Sequence, residues 1–75
     1  MEPIARAVEI VGGQTKLARK IGGPVRQAHV WNWLNKGTRV PAEHCIAIER
    51  ATAGEVSRYE LRPDVFGPSP EQEAA

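Results

Sequence analysis

The sequence predicts an all-α fold, a compact bundle of about five short helices in which the second and third form a helix-turn-helix. Three observations point there. Apolar residues recur at helical spacing in short stretches separated by glycine and proline. The stretch Gln14–Leu34, QTKLARKIGGPVRQAHVWNWL, holds two such segments broken by Gly22-Gly23-Pro24, which is how two helices and a glycine-containing turn read in sequence. Between Glu9 and Glu43 there is no acidic residue, yet Lys16, Arg19, Lys20, Arg26, Lys36 and Arg39 all fall there.

Glu2-Pro3 opens the first helix, with proline tolerated at N1 and an acid favourable near the positive end of the dipole. Ile4, Ala7, Val8 and Val11 form its apolar face, and Gly12-Gly13 stops it. The second helix is expected from about Gln14 or Thr15 to Ile21. Leu17, Ala18 and Ile21 would face inward, Lys16, Arg19 and Lys20 outward. Ala18 is small where a neighbouring helix must approach, and Gly22 can end the helix in a left-handed conformation. The third helix is expected to begin near Pro24 or Val25 and to end near Leu34. At 3.6 residues per turn, Val30, Trp33 and Leu34 share one stripe. Ala28, Asn32 and Asn35 lie opposite, flanked by Trp31 and His29, and Arg26 and Gln27 fall in the first turn.

Asn35–Arg39 reads as a polar, basic loop. Val40-Pro41 then starts a fourth helix, with Pro41 at N1, Glu43 in the first turn and Gly54 as C′. Ala42, Cys45, Ile46, Ile48 and Ala51 supply its apolar surface. Ser57 and Glu60 fit a capping box that opens a short fifth helix, expected to stop before Pro63. Leu61, Val65 and Phe66 can close over the core or face a partner chain. Residues 1–66 make the domain, and 67–75 read as a disordered acidic tail. Nothing reads as a convincing strand, with Val40 or Val56 the only candidates for a brief pairing.

Seventy-five residues support one domain and one small core. A content of 41% hydrophobic and 25% charged residues, with mean hydropathy −0.39, is that of a soluble globular protein. No apolar run approaches the roughly 20 residues of a membrane span. The N-terminus lacks the layout of a signal peptide, and a single cysteine suits a reducing compartment, so a cytoplasmic location is expected. The net charge of +1 is an average over two unlike regions. Asp64, Glu71 and Glu73 sit in the last twelve residues, which hold no Lys or Arg; without them ten basic groups face six acids, a charge of +4. Local charge sets the field at a binding face, so double-stranded DNA is the partner this pattern suggests.

Phosphate contacts fix register and base contacts carry sequence information. Gln14, Thr15 and Lys16 open the second helix, where backbone N–H groups and the dipole favour a phosphate. Lys36 and Arg39 would clamp the backbone from the other side. Arg26 and Gln27 are the best base readers by chemistry, Arg pairing with guanine and Gln with adenine, and His29 and Asn32 can also reach base edges. Trp33 reads as core, whereas Trp31, about 100° from Val30, can pack, touch a thymine methyl or cover the sugar-phosphate. One Cys and two His fall short of a four-ligand zinc site. No nucleophile–base pair, phosphate loop or carboxylate pair stands out, so neither an enzyme nor a cofactor is expected.

VWNWLN (Val30–Asn35), VPAEHCIAIERATAGEV (Val40–Val56) and SRYELRPDVF (Ser57–Phe66) resemble the YdaS-like antitoxin family. Its members are Cro-like phage and prophage repressors with a lambda-repressor-type helical fold. The likeness covers nearly everything from Ile4 to Phe66, and Gly23-Pro24 stands out as a two-residue extension of the turn. The resemblance implies an operator-binding transcriptional regulator with its third helix in the major groove. It also implies, in some members, genetic pairing with a YdaT-type toxin or a phage lysogeny regulator. A homodimer, at least on DNA, fits a two-fold operator. The alternative is an antitoxin that contacts a cognate toxin directly through Leu61, Val65, Phe66 and the acidic tail.

Overall fold

A computed structural model describes residues 2–70, and the C-terminal part of the expected tail, 71–75, lies outside the described residues. The described chain is all helical: α1 (Pro3–Val11), α2 (Gln14–Ile21), α3 (Gln27–Asn35), α4 (Ala42–Ala51), α5 (Arg58–Leu61) and α6 (Pro63–Phe66). None of these helices is long and apolar enough to cross a membrane. α2 lies at the centre, packed against α1, α3 and α4, while α5 docks on α4 and α1 and α6 follows α5.

The expected stripes converge on one core. Ile4 and Ala7 from α1, Leu17 and Ala18 from α2, Val30 and Trp33 from α3, and Cys45 and Ile48 from α4 are all buried. Val8, Val11, Ile21, Leu34, Ala51, Leu61 and Phe66 close its edges. Cys45 is a core residue, its Sγ 3.6 Å from the Pro41 carbonyl oxygen. Three connecting valines belong to this core as well. Val25 in the α2–α3 turn, Val40 before α4 and Val56 before α5 are each 5% exposed or less. Val40 and Val56, the two residues considered for a strand, therefore contribute side chains to the core, and neither enters a strand pairing among the described residues.

Thr52 is the one buried polar residue among those described. Its hydroxyl donates toward the Ile48 carbonyl at 3.0 Å and accepts from the Val56 amide at 3.1 Å. One side chain thus satisfies a backbone group past the end of α4 and pins Val56 into the core.

Several boundaries differ from the sequence expectation. α3 begins at Gln27 with Arg26 as N-cap, so Pro24 and Val25 belong to the turn. Burial of Val25 explains the shift, because a side chain drawn into the core anchors the turn and delays the helix. Pro41 is the N-cap of α4 and not its N1 residue. A sixth helical segment follows Pro63, which starts α6 at N1 as its fixed φ allows. The Ser57–Glu60 capping box forms as expected, with Glu60 N donating to Ser57 Oγ at 3.2 Å and Ser57 N to Glu60 Oε2 at 3.1 Å.

α1 and α4 both close with reciprocal backbone bonds. At the end of α1, Gly13 N donates to Val8 O and Gly12 N to Glu9 O, and Gly12 takes φ +94° without a Cβ clash. At the end of α4, Gly54 N donates to Glu49 O and Ala53 N to Arg50 O. The C′ residue is therefore Ala53, not Gly54, and it is held at φ +53°. An L-residue pays a steric penalty there that glycine does not. Ala53→Gly is expected to stabilise the domain by about 0.5 kcal/mol after the extra unfolded-state entropy of glycine is deducted. Thermal unfolding should show a Tm higher by about 3 °C, and a lower Tm would contradict this account of the α4 terminus.

Candidate nucleic-acid interface

The N-terminus of α2 is unprotected. Its N-cap, Gly13, has no side chain to cap with, and the first turn holds no acid. Leu17 is the first residue to donate within this helix, to Gly13 O at 3.0 Å. The amides of Gln14, Thr15 and Lys16 consequently have no partner inside the helix.

α3 is built to present its opposite face. Val30 and Trp33 are buried, while Gln27, Ala28, His29, Trp31 and Asn32 are exposed. The α2 and α3 starts are joined side chain to side chain, Gln27 Nε2 donating to Gln14 Oε1. Thr15, Arg19, Gly22, Arg26, Gln27 and Ala28 line a cleft between the two helices. Gly22 and Gly23, at φ +77° and +59°, let the chain turn through it.

Two of the candidate base readers also serve the turn. Arg26 N donates to His29 Nδ1 at 2.9 Å, which is half of a capping box; an arginine side chain has no acceptor with which to complete it. In the neutral ring, an accepting Nδ1 leaves the proton on Nε2. The Arg26 guanidinium folds back, Nη1 donating to Gly23 O at 3.1 Å and to Val25 O at 3.4 Å. Its Nε and Nη2 make no hydrogen bond among the described residues. Asn32 stands exposed between them and Lys36, whose ammonium lies 5.8 Å from the Trp31 ring centroid.

The charges divide by location. Arg6 pairs with Glu60, Arg58 with Glu49, and Arg62 and Arg39 with Asp64. Lys16, Arg19, Lys20, Arg26 and Lys36 meet no carboxylate among the described residues, and Arg50 on α4 is the one other basic residue in that condition. Five cations without a carboxylate thus lie on α2, in the turn and at the C-cap of α3.

Arg39 stands apart from the other candidates. It is 2.8 Å from Asp64 Oδ2 and its side chain is 70% exposed. Asp64 is itself held by Arg62, through Nε at 3.0 Å and Nη2 at 2.8 Å, while Arg62 Nη1 donates to Val40 O at 2.9 Å. Sequence reasoning placed Asp64 with the acidic tail and missed this link, because the pairing spans 25 residues and no local pattern announces it. The Gln14–Gln27 pair was missed for the same reason, although both residues had been singled out separately.

The family model described as "Bacterial toxin YdaS" matches residues 4–70. The chain belongs to the YdaS family. It is 48% identical over 60 residues to the "Putative transcriptional regulator YdaS" of Escherichia coli (strain K12). That alignment takes in 80% of this chain, and the chain spans 59% of the length of that relative. Among solved structures, it is similar to the Cro protein from the putative prophage element Xfaso 1 in Xylella fastidiosa strain Ann-1. The identity is 51% and the TM-score 0.80, over 89% of this chain and 98% of that one. The YdaS match thus contains the helix pair, the basic loop and the Arg39–Asp64–Arg62 link together.

That link has a consequence in acid. The hydrogen-bonded Arg62 guanidinium lowers the Asp64 carboxyl from 3.8 to about 2, and Glu49 and Glu60 are lowered too, the first by Arg58 and the second by the Ser57 amide. A carboxyl whose folded pKa is depressed stabilises the fold above its unfolded value and loses that contribution as pH falls through the folded value. Stability should therefore decline from the ordinary carboxylate range down toward pH 2, and Asp64→Asn should make the decline between 3.8 and about 2 shallower. Urea unfolding at a series of pH values checks this; parallel acid limbs in the two proteins would contradict it.

Proposed function

We propose that this domain is a sequence-specific DNA-binding transcriptional regulator, a Cro-like repressor that lays α3 in the major groove of its operator. The observation that carries the reading is the gathering of Lys16, Arg19, Lys20, Arg26 and Lys36, without a carboxylate, around a polar helix face whose other side is core. The likeness to proteins named as a transcriptional regulator and as Cro supports it.

In this reading the open amides and side chains of Gln14, Thr15 and Lys16 hold one phosphate, and Lys36 holds another. Arg39 reaches a phosphate by giving up Asp64 for it. Gln27 reads a base edge. With its Nε2 engaged by Gln14, its Oε1 remains to accept from an adenine or cytosine amino group, and Gln14 Nε2 remains to donate to the phosphate. His29 Nε2 and Asn32 serve neighbouring base edges, and the unused N–H groups of Arg26 serve a guanine. One module reads few base pairs, so two copies would occupy half-sites about 10 bp apart.

The antitoxin alternative would use Leu61, Val65 and Phe66. Leu61 and Phe66 are half-buried against the core, and Val65, 49% exposed, is the one large apolar side chain largely open at that end among the described residues. The geometry accordingly favours the DNA reading.

Fluorescence anisotropy with the DNA upstream of the protein's own gene tests it. Lys16→Ala should weaken binding alike on all sequences and reduce the slope of log K against log salt by about 1. Gln27→Ala should cost about 1–3 kcal/mol on the preferred site and little on unrelated DNA. Absence of binding at low salt would sink the reading, and preserved sequence preference in Gln27→Ala would remove Gln27 from the base readers.

A further inference from the structure

We propose that Trp31 is a specificity-determining residue that seats its indole against the methyl group of a thymine in the major groove. The proposal rests on the DNA reading above and adds a base type and a place for it. Trp31 is 42% exposed, whereas Trp33, two residues later, is 6% exposed. The part of the indole that remains in water forfeits apolar burial that a partner can supply, so covering it is favoured.

The surroundings choose what covers it. No acid occurs between Glu9 and Glu43, and the Lys36 ammonium stands over the ring at 5.8 Å. A partner brought to this patch must therefore carry negative charge and also offer an apolar feature. Duplex DNA has one such feature on its major-groove edges, the thymine C5-methyl. The local backbone is also set, since Asn35 Nδ2 donates to the Trp31 carbonyl at 2.9 Å across the last turn of α3.

Position on the helix fixes which thymine. Trp31 lies one turn beyond Gln27 on the same ridge, four residues or roughly 6 Å further along the axis. With bases spaced by about 3.4 Å per strand, the methyl it meets lies about two base pairs from the one read by Gln27. Lys36, beyond the ring, would then reach the phosphate at the groove edge and hold the indole against the base.

The test replaces thymine by uracil, one position at a time, in the DNA site that the protein prefers. Uracil lacks only the methyl group. Wild-type affinity should fall about fourfold at a single thymine, the equivalent of burying one methyl, and Trp31→Ala should bind more weakly yet lose nothing further at that thymine. Circular dichroism and melting of Trp31→Ala should match wild type, because the ring is not core. Trp31→Phe, which keeps an apolar ring, should retain part of the methyl effect. Indifference of the wild type to every uracil substitution, with sequence preference intact, would overturn the proposal while leaving the DNA reading standing. An equal uracil penalty in wild type and Trp31→Ala would assign the methyl to another side chain. Absence of any duplex binding would remove both.

Discussion

The exposed face of α3 depends on α2 being held on three sides at once. Leu17 is fully buried among α1, α3 and α4, and Ala18 is small where a neighbour comes close. Val30 and Trp33 of α3 join the same core, and the Trp33 ring lies against His44 of α4 with centroids 6.1 Å apart. Because these residues lie at i and i+3, burying them fixes the rotation of α3 about its own axis. That rotation directs Ala28, Trp31 and Asn32 outward. In a core of this size, truncating Leu17 or Val30 removes a contribution of about 1–5 kcal/mol from a total of about 5–15. Loss of the core and loss of the face are thus one event.

Charge is arranged with the same economy. Among the arginines that neutralise carboxylates, Arg6 and Arg58 tie α5 to α1 and α4, and Arg62 ties the start of α6 to the Val40 carbonyl. The Arg6 guanidinium also donates to the Glu55 carbonyl at 2.6 Å, joining α1 to the segment before α5. Cations on α2 and the end of α3 have no such duty and leave their field to solvent. Arg39 sits at the border between the two sets, its head on Asp64 and its loop following α3. A phosphate offers it the same charge and a similar geometry as the carboxylate it already holds.

Much of this was legible in the residues. The stripes Ile4–Ala7, Leu17–Ala18 and Val30–Trp33 follow from helical period alone, and the Ser57–Glu60 capping box from its offset. Boundaries were less legible where a tertiary contact outweighed local preference. Pro24 favoured an early start to α3, but Val25 is drawn into the core and the helix waits until Gln27. Thr52 gave no sign of its role, since a threonine at a helix end is ordinary until Val56 is known to lie behind it. The candidate site divides likewise. Individual side chains on α2 and α3 could be named from charge and polarity, whereas the Gln14–Gln27 and Arg39–Asp64 links join residues 13 and 25 apart and exist only in the folded chain.

The central claim is that one face, formed by the start of α2, the exposed arc of α3 and the loop after it, meets duplex DNA. Titration of the isotope-labelled protein with its preferred duplex, followed amide by amide in nuclear magnetic resonance spectra, measures that face directly. The account predicts shift changes concentrated at Gln14–Lys16, Arg26–Asn32 and Lys36–Arg39, with α5 and the outer side of α1 unmoved. Changes concentrated on α5 and α6, with α3 silent, would contradict it.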